Sequence, residues 1–520
     1  MYVLNADQMR AADSHAIREL GIPSRVLMEN AAAKVADVVA ARNPQPRPVC
    51  VVCGKGNNGG DGMAAARLLK QRGWNPVVLL LGRASELKAD SGENWRRAIE
   101  SGVLCHEVED LSVFESHLSD CDLVIDALFG TGLTKPLEGI FSGAVQKINQ
   151  SGREVISIDV PSGVSSDSGE LPGPAIRAHF TVALAALKYC HVLSPACRMC
   201  GETYVVDIGI PAKSTTSIVR NEDLYRTLPH RKPDSHKGTY GHAVIVAGST
   251  GKSGAAYMAG KAALRSGAGL VTVVSPSAVQ PVIAALGPEI MTEPAPGNPN
   301  YFDTKAGMDV LRILEGKSAV AIGPGIGTSE DTAAFLQQIV PKIRCALVID
   351  ADGLNLVARQ LSLLRSRKPL STLLTPHPGE MARLLETTTQ EVQKDRIGAA
   401  KKLAAETQSI VALKGYHTVL ADPEGRVRIN LTGSSALASG GTGDILTGVL
   451  TGFLAQGLAT IDAALCGVYL HGLVANLFEA EYPQQALNAM DILSYWNRAV
   501  HLTRTQKDLE DEYLKIHFSF

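Results

Sequence analysis

The feature that most constrains the fold is an alternation. Apolar runs at residues 49–52, 77–81, 123–125 and 155–158, the last broken only by Ser157, are separated by amphipathic stretches at 63–72, 86–100 and 140–150. A strand with no polar face suits a parallel sheet covered on both sides, and the amphipathic stretches supply the covering helices. The pattern predicts a doubly wound α/β domain. Two helices are expected ahead of it. One spans 5–21, where Asn5 and Gln8 form a capping box and Gly21 ends the helix; the other starts at Ser24 and stops before Pro44.

The same logic resumes further on, with strand-like runs at 243–247, 319–322, 346–349, 373–374 and 410–413. A chain of 520 residues is too long for one core. The polar and Pro-rich stretch at 212–230 reads as the boundary between two α/β domains, which are expected over 1–212 and 225–505. A formal charge of −2 offers no basic field for nucleic acid or an anionic membrane. With no signal-like N-terminus and no uninterrupted spanning apolar run, a cytoplasmic location is expected. Nine cysteines, an odd and scattered set, imply no disulfide framework. Cys50 and Cys53 have C-x-x-C spacing but lie on a strand, where residues three apart face opposite sides, so zinc is disfavoured.

Chemistry-bearing residues gather at the carboxyl ends of the predicted strands, where such folds bind ligands. After the first comes Gly54-Lys55-Gly56-Asn57-Asn58-Gly59-Gly60-Asp61-Gly62. It contains G-x-G-x-x-G, yet the next strand ends in Leu81-Gly82-Arg83, without the carboxylate that would hold a dinucleotide ribose. A conventional NAD dehydrogenase is thereby disfavoured. Later strand ends carry Asp126-Ala127-Leu128-Phe129-Gly130-Thr131-Gly132 and Asp159-Val160-Pro161-Ser162-Gly163. Asn58, Asp126 and Ser162 present hard oxygen donors suited to a hard cation. Asp159 is a candidate acid or base; each such Asp taken singly also reads as a turn or cap residue.

Together with Leu27-Met28-Glu29-Asn30-Ala31, these motifs resemble the NAD(P)H-hydrate epimerase domain over about residues 1–212. The resemblance implies a Rossmann-like domain that interconverts the two epimers of the hydrated nicotinamide nucleotide. It implies potassium held by Asn58, Asp126 and Ser162. Substrate contacts are implied at Asn57, Asn58, Gly59, Gly60 and Asp61, at Gly130, Thr131, Gly132, Leu133, Thr134, Lys135 and Pro136, and at Asp159. Lys188 matches a further active-site position and is taken with Asp159 as catalytic.

In the second half, Gly248-Ser249-Thr250-Gly251-Lys252-Ser253-Gly254 is not a Walker A loop, because the glycines and lysine are misplaced for it. Loops follow the later strands: Gly323-Pro324-Gly325-Ile326-Gly327, Asp350-Ala351-Asp352, Thr375-Pro376-His377-Pro378-Gly379-Glu380, and Lys414-Gly415-Tyr416-His417-Thr418. The last is Ser439-Gly440-Gly441-Thr442-Gly443-Asp444, opening into an apolar helix. Its glycines let successive N–H groups point into one concavity, and the helix dipole adds to an anion hole. Asp444 in the first turn reads either as a plain N-terminal Asp or as a base that removes a proton from a hydroxyl meeting a phosphoryl group.

This succession resembles the ribokinase-like fold, and within it the ADP-dependent NAD(P)H-hydrate dehydratase domain, over about 225–505. The resemblance implies hydrate contacts at Ala255, Gly327, His377 and Asp444, with Asp444 catalytic, and nucleotide contacts at Lys414, Gly415, Tyr416, His417, Thr418 and Gly443. It also implies ADP with magnesium. Two positions depart from the family: Ser434 stands where Asn is usual and Leu437 where Met is usual. The expected activity is repair of both hydrate epimers on small-molecule substrates, with no nucleic-acid or membrane partner and a homo-oligomeric state. A ribokinase-like kinase of a small alcohol and a catalytically dead nucleotide sensor are the alternatives.

Overall fold

The computed structural model describes residues 1–133, 135–506 and 509–518. The chain divides into two compact units, one of Met1–Ser217 with Glu510–Phe520 and the other of Ile218–Leu509. Both are α/β with largely parallel sheets, the class the alternating pattern predicts.

In the first unit the strands Pro48–Cys53, Asn75–Leu81, Leu104–Val108, Leu123–Ala127, Glu154–Ile158, Phe180–Leu184 and Glu202–Val206 form one parallel sheet. Numbered one to seven in chain order, they lie as 3-2-1-4-5-6-7. The order reverses between Pro48–Cys53 and Leu123–Ala127, so a crevice opens at their carboxyl ends. Cys50 and Cys53 pack into different hydrophobic clusters on opposite faces of this sheet, as the strand period requires. All nine cysteines are free. Beyond the sequence pattern, Ile516–His517 adds a short parallel strand beside Glu202–Val206.

The helix Ala6–Arg18 begins at Asn5, whose side chain accepts from Gln8 N while Gln8 returns the bond, the predicted capping box. Ser24–Arg42 follows. A second small sheet pairs Val3–Leu4 with Leu187–Lys188 in parallel and so brings the chain start beside Lys188. The Gly-rich run after the first strand is mostly helix: Asn57–Gln71 starts within it. Its glycines serve close approach, since a methyl group at Gly59 would stand 1.9 Å from the Gly54 carbonyl oxygen.

In the second unit the strands His242–Val246, Leu270–Pro276, Met291–Ala295, Ala319–Ile322, Ala346–Ile349, Thr372–Leu374 and Ile410–Leu413 are parallel. Thr418–Ala421 and Val427–Asn430 extend the sheet antiparallel. The order again reverses beside the first strand of the unit, between His242–Val246 and Ala319–Ile322. Helix Thr442–Ala455 packs against helix Ser253–Arg265 and over the central strands. Helix Thr460–Glu481 is long and apolar enough to cross a membrane by length and composition, and 78% of its most apolar window is buried inside the protein.

Candidate functional site

In the first unit a cavity of about 280 Å³ lies at the strand-order reversal and is lined by Asn57, Asp61, Thr131, Asp159 and Lys188. The structure thus gathers five of the predicted residues. Their company includes Met9, Arg10 and Asp13 from the first helix and Leu27 and Met28 from the second, none of which the sequence marked as site residues. Gly59 and Gly60 are buried in the first turn of helix Asn57–Gln71 and do not line the cavity, and Gly132, Lys135 and Pro136 are exposed away from the lining. Leu133 is half-buried and also outside the lining, and Thr134 lies outside the described residues.

Asp159 follows strand Glu154–Ile158 with a left-handed φ of 67°, uncommon for a residue other than glycine. Lys188, 1% exposed, forms an ion pair with Asp159 Oδ1, which also accepts from Leu184 N at 3.2 Å. His191 Nδ1 accepts from Lys188 N at 2.9 Å, so its Nε2–H donates to the Asp159 carbonyl at 2.9 Å. Burial, then Lys188, lowers the His191 pKa to about 4, leaving the ring neutral. Asp61 is 8% exposed, and burial, Asp159 and Asp13 hold its carboxyl well above the usual range.

Asp126 is fully buried and accepts four hydrogen bonds: from Ser157 Oγ at 2.8 Å, Ser162 N at 2.9 Å, Ser162 Oγ at 2.6 Å and Leu128 N at 3.3 Å. Burial raises its pKa despite those donors. Asn58 and Asp159 both approach Gly130, where a methyl group would lie 3.3 Å from Asn58 Oδ1 and 3.4 Å from Asp159 Oδ2. The buried Asn58 Nδ2 has no hydrogen-bond partner among the described residues.

The conspicuous Glu29 and Asn30 do not line this cavity. Glu29 pairs with Arg67 and Arg97, and Asn30 Nδ2 donates to the Ile208 carbonyl at 3.1 Å, so both lock helices and a strand end around it.

In the second unit Gly441 takes φ +90° and ends the Gly-rich turn, and helix Thr442–Ala455 starts at once. Thr442 Oγ1 donates back to the Leu437 and Ser439 carbonyls, both at 3.0 Å, which fixes the turn. Ser434 Oγ accepts from Ala436 N at 3.2 Å; Ser, like the Asn usual there, is a good cap, so this departure keeps the local fold. Asp444 sits in the first helical turn. Burial and Asp350 raise its pKa to about 6, Lys414 opposes, and Asp352 adds to the rise.

Lys414 Nζ lies 2.6 Å from Asp350 Oδ1 and 3.9 Å from Glu380 Oε2. Asp350 is 2% exposed; burial pushes its pKa up, but Lys414 and the hydroxyls of Thr447 and Thr375 outweigh burial and hold it below the usual value. Burial raises Glu380 to about 7. His377 caps helix Pro378–Leu384, its Nδ1 accepting from Gly379 N at 3.0 Å and Glu380 N at 3.3 Å, while Glu380 Oε2 accepts from His377 N at 2.8 Å. Burial, then Lys414 and Arg383, lowers the His377 pKa. The ring is half exposed, with Nε2 3.3 Å from Glu380 Oε1.

The loop Lys414-Gly415-Tyr416-His417 is clamped from below by buried Arg396, which donates to the carbonyls of Leu413, Lys414 and His417. Tyr416 and His417 stack at 4.2 Å. Ala255 packs near Gly325, and Gly327 N donates to Asp352 Oδ2, which also bonds Lys252 Nζ, each at 2.9 Å. Asp350, Asp352, Glu380 and Arg396 join these residues without being among the predicted site residues. For the first three the signal was present, because each stands in a strand-end motif; Arg396 sits mid-chain with none.

Family models match both regions: NAD(P)H-hydrate dehydratase over residues 243–498 and the YjeF-related protein N-terminus over 24–190. The bifunctional NAD(P)H-hydrate repair enzyme Nnr of Thermofilum pendens is 36% identical, covering 97% of each chain. That of Moorella thermoacetica is 38% identical, covering 98% of each. The Escherichia coli relative of the same name is 34% identical, covering 97% of this chain and 95% of its own. Among solved structures, the ADP/ATP-dependent NAD(P)H-hydrate dehydratase from Bacillus subtilis, co-crystallised with ATP and Mg2+, is 33% identical. It covers 55% of this chain and 98% of its own, with a TM-score of 0.47. On near-full-length identity to these relatives, the chain belongs to the family of bifunctional NAD(P)H-hydrate repair enzymes.

Proposed function

We propose that the second unit dehydrates the hydrated nicotinamide nucleotide by phosphorylating and then expelling its hydroxyl, with ADP converted to AMP and phosphate. Hydroxide is a poor leaving group near neutral pH; a phosphate ester is a far better one. Asp444 takes the proton from the C6 hydroxyl as the hydroxyl oxygen attacks the terminal phosphorus of ADP and the bond to AMP breaks. The N–H groups at residues 440–443 hold the transferring group, and Lys414 balances its charge. The ring nitrogen then pushes out phosphate, and loss of the C5 proton re-forms the C5–C6 double bond.

The observation that carries this reading is Asp444 itself: a carboxylate held at about 6, at a helix N-terminus behind a left-handed glycine and beside a lysine. Asp350, Asp352, Glu380 and Asp444 outnumber Lys252, Lys414 and Arg383, so the charge balance disfavours a bare phosphate. That balance fits a nucleotide accompanied by magnesium, which offsets phosphate charge when bound.

The first unit, in this reading, epimerises the R and S hydrates so that the form the dehydratase cannot use is converted to the one it can. Asp159 and Lys188 serve as the proton-handling pair at the cavity, with Asp61 positioned beside them. Asn58, Asp126 and Ser162 would hold potassium. The donors fit it: the Ser162 hydroxyl hydrogen has the Phe129 carbonyl at 3.2 Å as another acceptor, and turned there it would leave Ser162 Oγ and Asp126 Oδ1 available to a cation. A half-turn of the Asn58 amide exchanges its nitrogen and oxygen and would direct the oxygen to the buried position of Nδ2. Potassium supplies positive charge that offsets the buried carboxylate.

The test uses NADH hydrate with ADP and magnesium. Recovery of reduced-nicotinamide absorbance with release of AMP and phosphate is expected, and Asp444→Asn abolishes it while epimerisation continues. A stable phosphorylated product would identify a small-alcohol kinase instead, and tight nucleotide binding without turnover would identify a sensor.

A further inference from the structure

Between the proposed base and the proposed nucleotide loop stands a buried carboxylate, Asp350, whose two oxygens are both taken by protein donors. Asp350 ends the strand Ala346–Ile349, in the middle of the second sheet. Its Oδ1 accepts from Lys414 Nζ at 2.6 Å, and its Oδ2 accepts from Thr447 Oγ1 at 2.6 Å. Thr447 is one turn beyond Asp444 on the same helix. Gly443 lies directly over the pair, since a methyl group there would be 3.8 Å from both Asp350 Oδ2 and Lys414 Nζ.

The next residue explains how one turn serves several loops. Ala351 has φ 51° and ψ −125°, a conformation that an L residue with a Cβ avoids. The reversal sends Asp352 away from Asp350, to Lys252 and Gly327 N. Each carboxylate thereby ties a different pair of elements. We propose that Asp350 is a positioning residue of the dehydratase, registering the helix that carries Asp444 and Gly443 against the strand end that carries Lys414. This rests on the roles proposed above for Asp444 and Lys414.

A neutral side chain of the same shape would keep the packing but not this function. Asp350 keeps a lysine with little solvent in place and charged, and it sets a negative charge beside Asp444. The charged groups facing Asp444 are Asp350, Lys414 and Asp352. Those facing Lys414 are Asp350, Glu380 and Asp444. His377 lies beyond Glu380, and neutral His471 bonds the Thr442 carbonyl at 3.0 Å.

The experiment compares Asp350→Asn, Thr447→Val and Asp444→Asn in the full chain, measuring dehydration kcat against pH, epimerisation in the same samples and thermal unfolding. Asp350→Asn should lower dehydration kcat by about tenfold or more. Its acid limb should move to lower pH, because Asp444 loses a negative neighbour and keeps Lys414. Thr447→Val should lower kcat by roughly threefold or more with the limb in place, because only register is disturbed. Epimerisation should stay within about twofold in both. A folded Asp350→Asn enzyme with kcat within about twofold of the parent, or with an unmoved limb, overturns the proposal. If Asp350→Asn does not fold, an unchanged kcat in Thr447→Val overturns it and a reduced one supports it. Dehydration surviving in Asp444→Asn would instead overturn the reading on which the proposal rests.

Discussion

The pH dependence of dehydration tests the proposed base directly. Asp444 is raised to about 6 by burial first and by Asp350 next. A base works only when ionised, so the rate should fall as pH drops through that value. A group titrating near 6 is about 90% ionised at pH 7 and about 10% at pH 5, a loss of roughly tenfold. An ordinary Asp, titrating near ~3.9, would still be about 90% ionised at pH 5, so the two cases differ by about an order of magnitude there. The assay follows reduced-nicotinamide absorbance at limiting hydrate and ADP, so that the rate reports the free enzyme, the state to which that value belongs. Epimerisation on the same samples shows whether the protein survives the acid. Glu380, raised to about 7, is the competing group. A Glu380→Gln variant should keep its acid limb near pH 6. A limb at pH 4, or one that disappears with Glu380, would refute the assignment of Asp444.

Three further outcomes follow from the same geometry. Asp444→Asn should melt higher than the parent at pH 7. A carboxyl whose folded pKa is raised contributes stability below its unfolded value and loses it as pH rises through about 6, so removing it relieves a cost of roughly 1–2 kcal/mol after discounting for solvent access. Lys188→Met should abolish epimerisation but not dehydration. In denaturant titrations at pH 7 it should also destabilise the first unit by about 3 kcal/mol, by stranding the Asp159 carboxylate. Gly441→Ala should cost about 1–3 kcal/mol, because an alanine at φ +90° is strained and its methyl would meet Met258 Cε at 2.6 Å. Dehydration in that variant should fall more than epimerisation.

What could be read from the sequence divides by the distance over which the cause acts. The Asn5–Gln8 capping box and the opposite facing of Cys50 and Cys53 are set by neighbours within a few residues, and both were legible. The strand-end clusters were legible because a doubly wound sheet delivers every strand end to one side, whatever the details of packing. The Gly-rich run at 54–62 has the composition of a loop, yet most of it is helix. Glycine there answers the close carbonyl of Gly54 and the neighbouring strands, a requirement that exists only once the chain is folded. Glu29 is conspicuous in sequence, but its partners Arg67 and Arg97 are 38 and 68 residues away. Arg396 is invisible for the same reason: it acts on three carbonyls of a loop that follows 17 to 21 residues later.

In the second unit the proposed base and its neighbour divide two tasks. A proposed base must exchange a proton, and Asp444 stands beside a second carboxylate, Asp350, held below the usual range. Asp350 spends both oxygens on Lys414 and Thr447, while Asp444 takes no such bond among the described residues. A fully bonded carboxylate is a poor base, because protonating it breaks bonds that its charge had strengthened. It is a good anchor for the same reason. Buried negative charge fixed by the anchor then makes its unbonded neighbour more basic, as Asp350 does to Asp444. Neutralising an anchor should therefore weaken the base beside it while leaving that base's own side chain intact, and the Asp350→Asn acid limb measures that effect separately from the loss of Asp444.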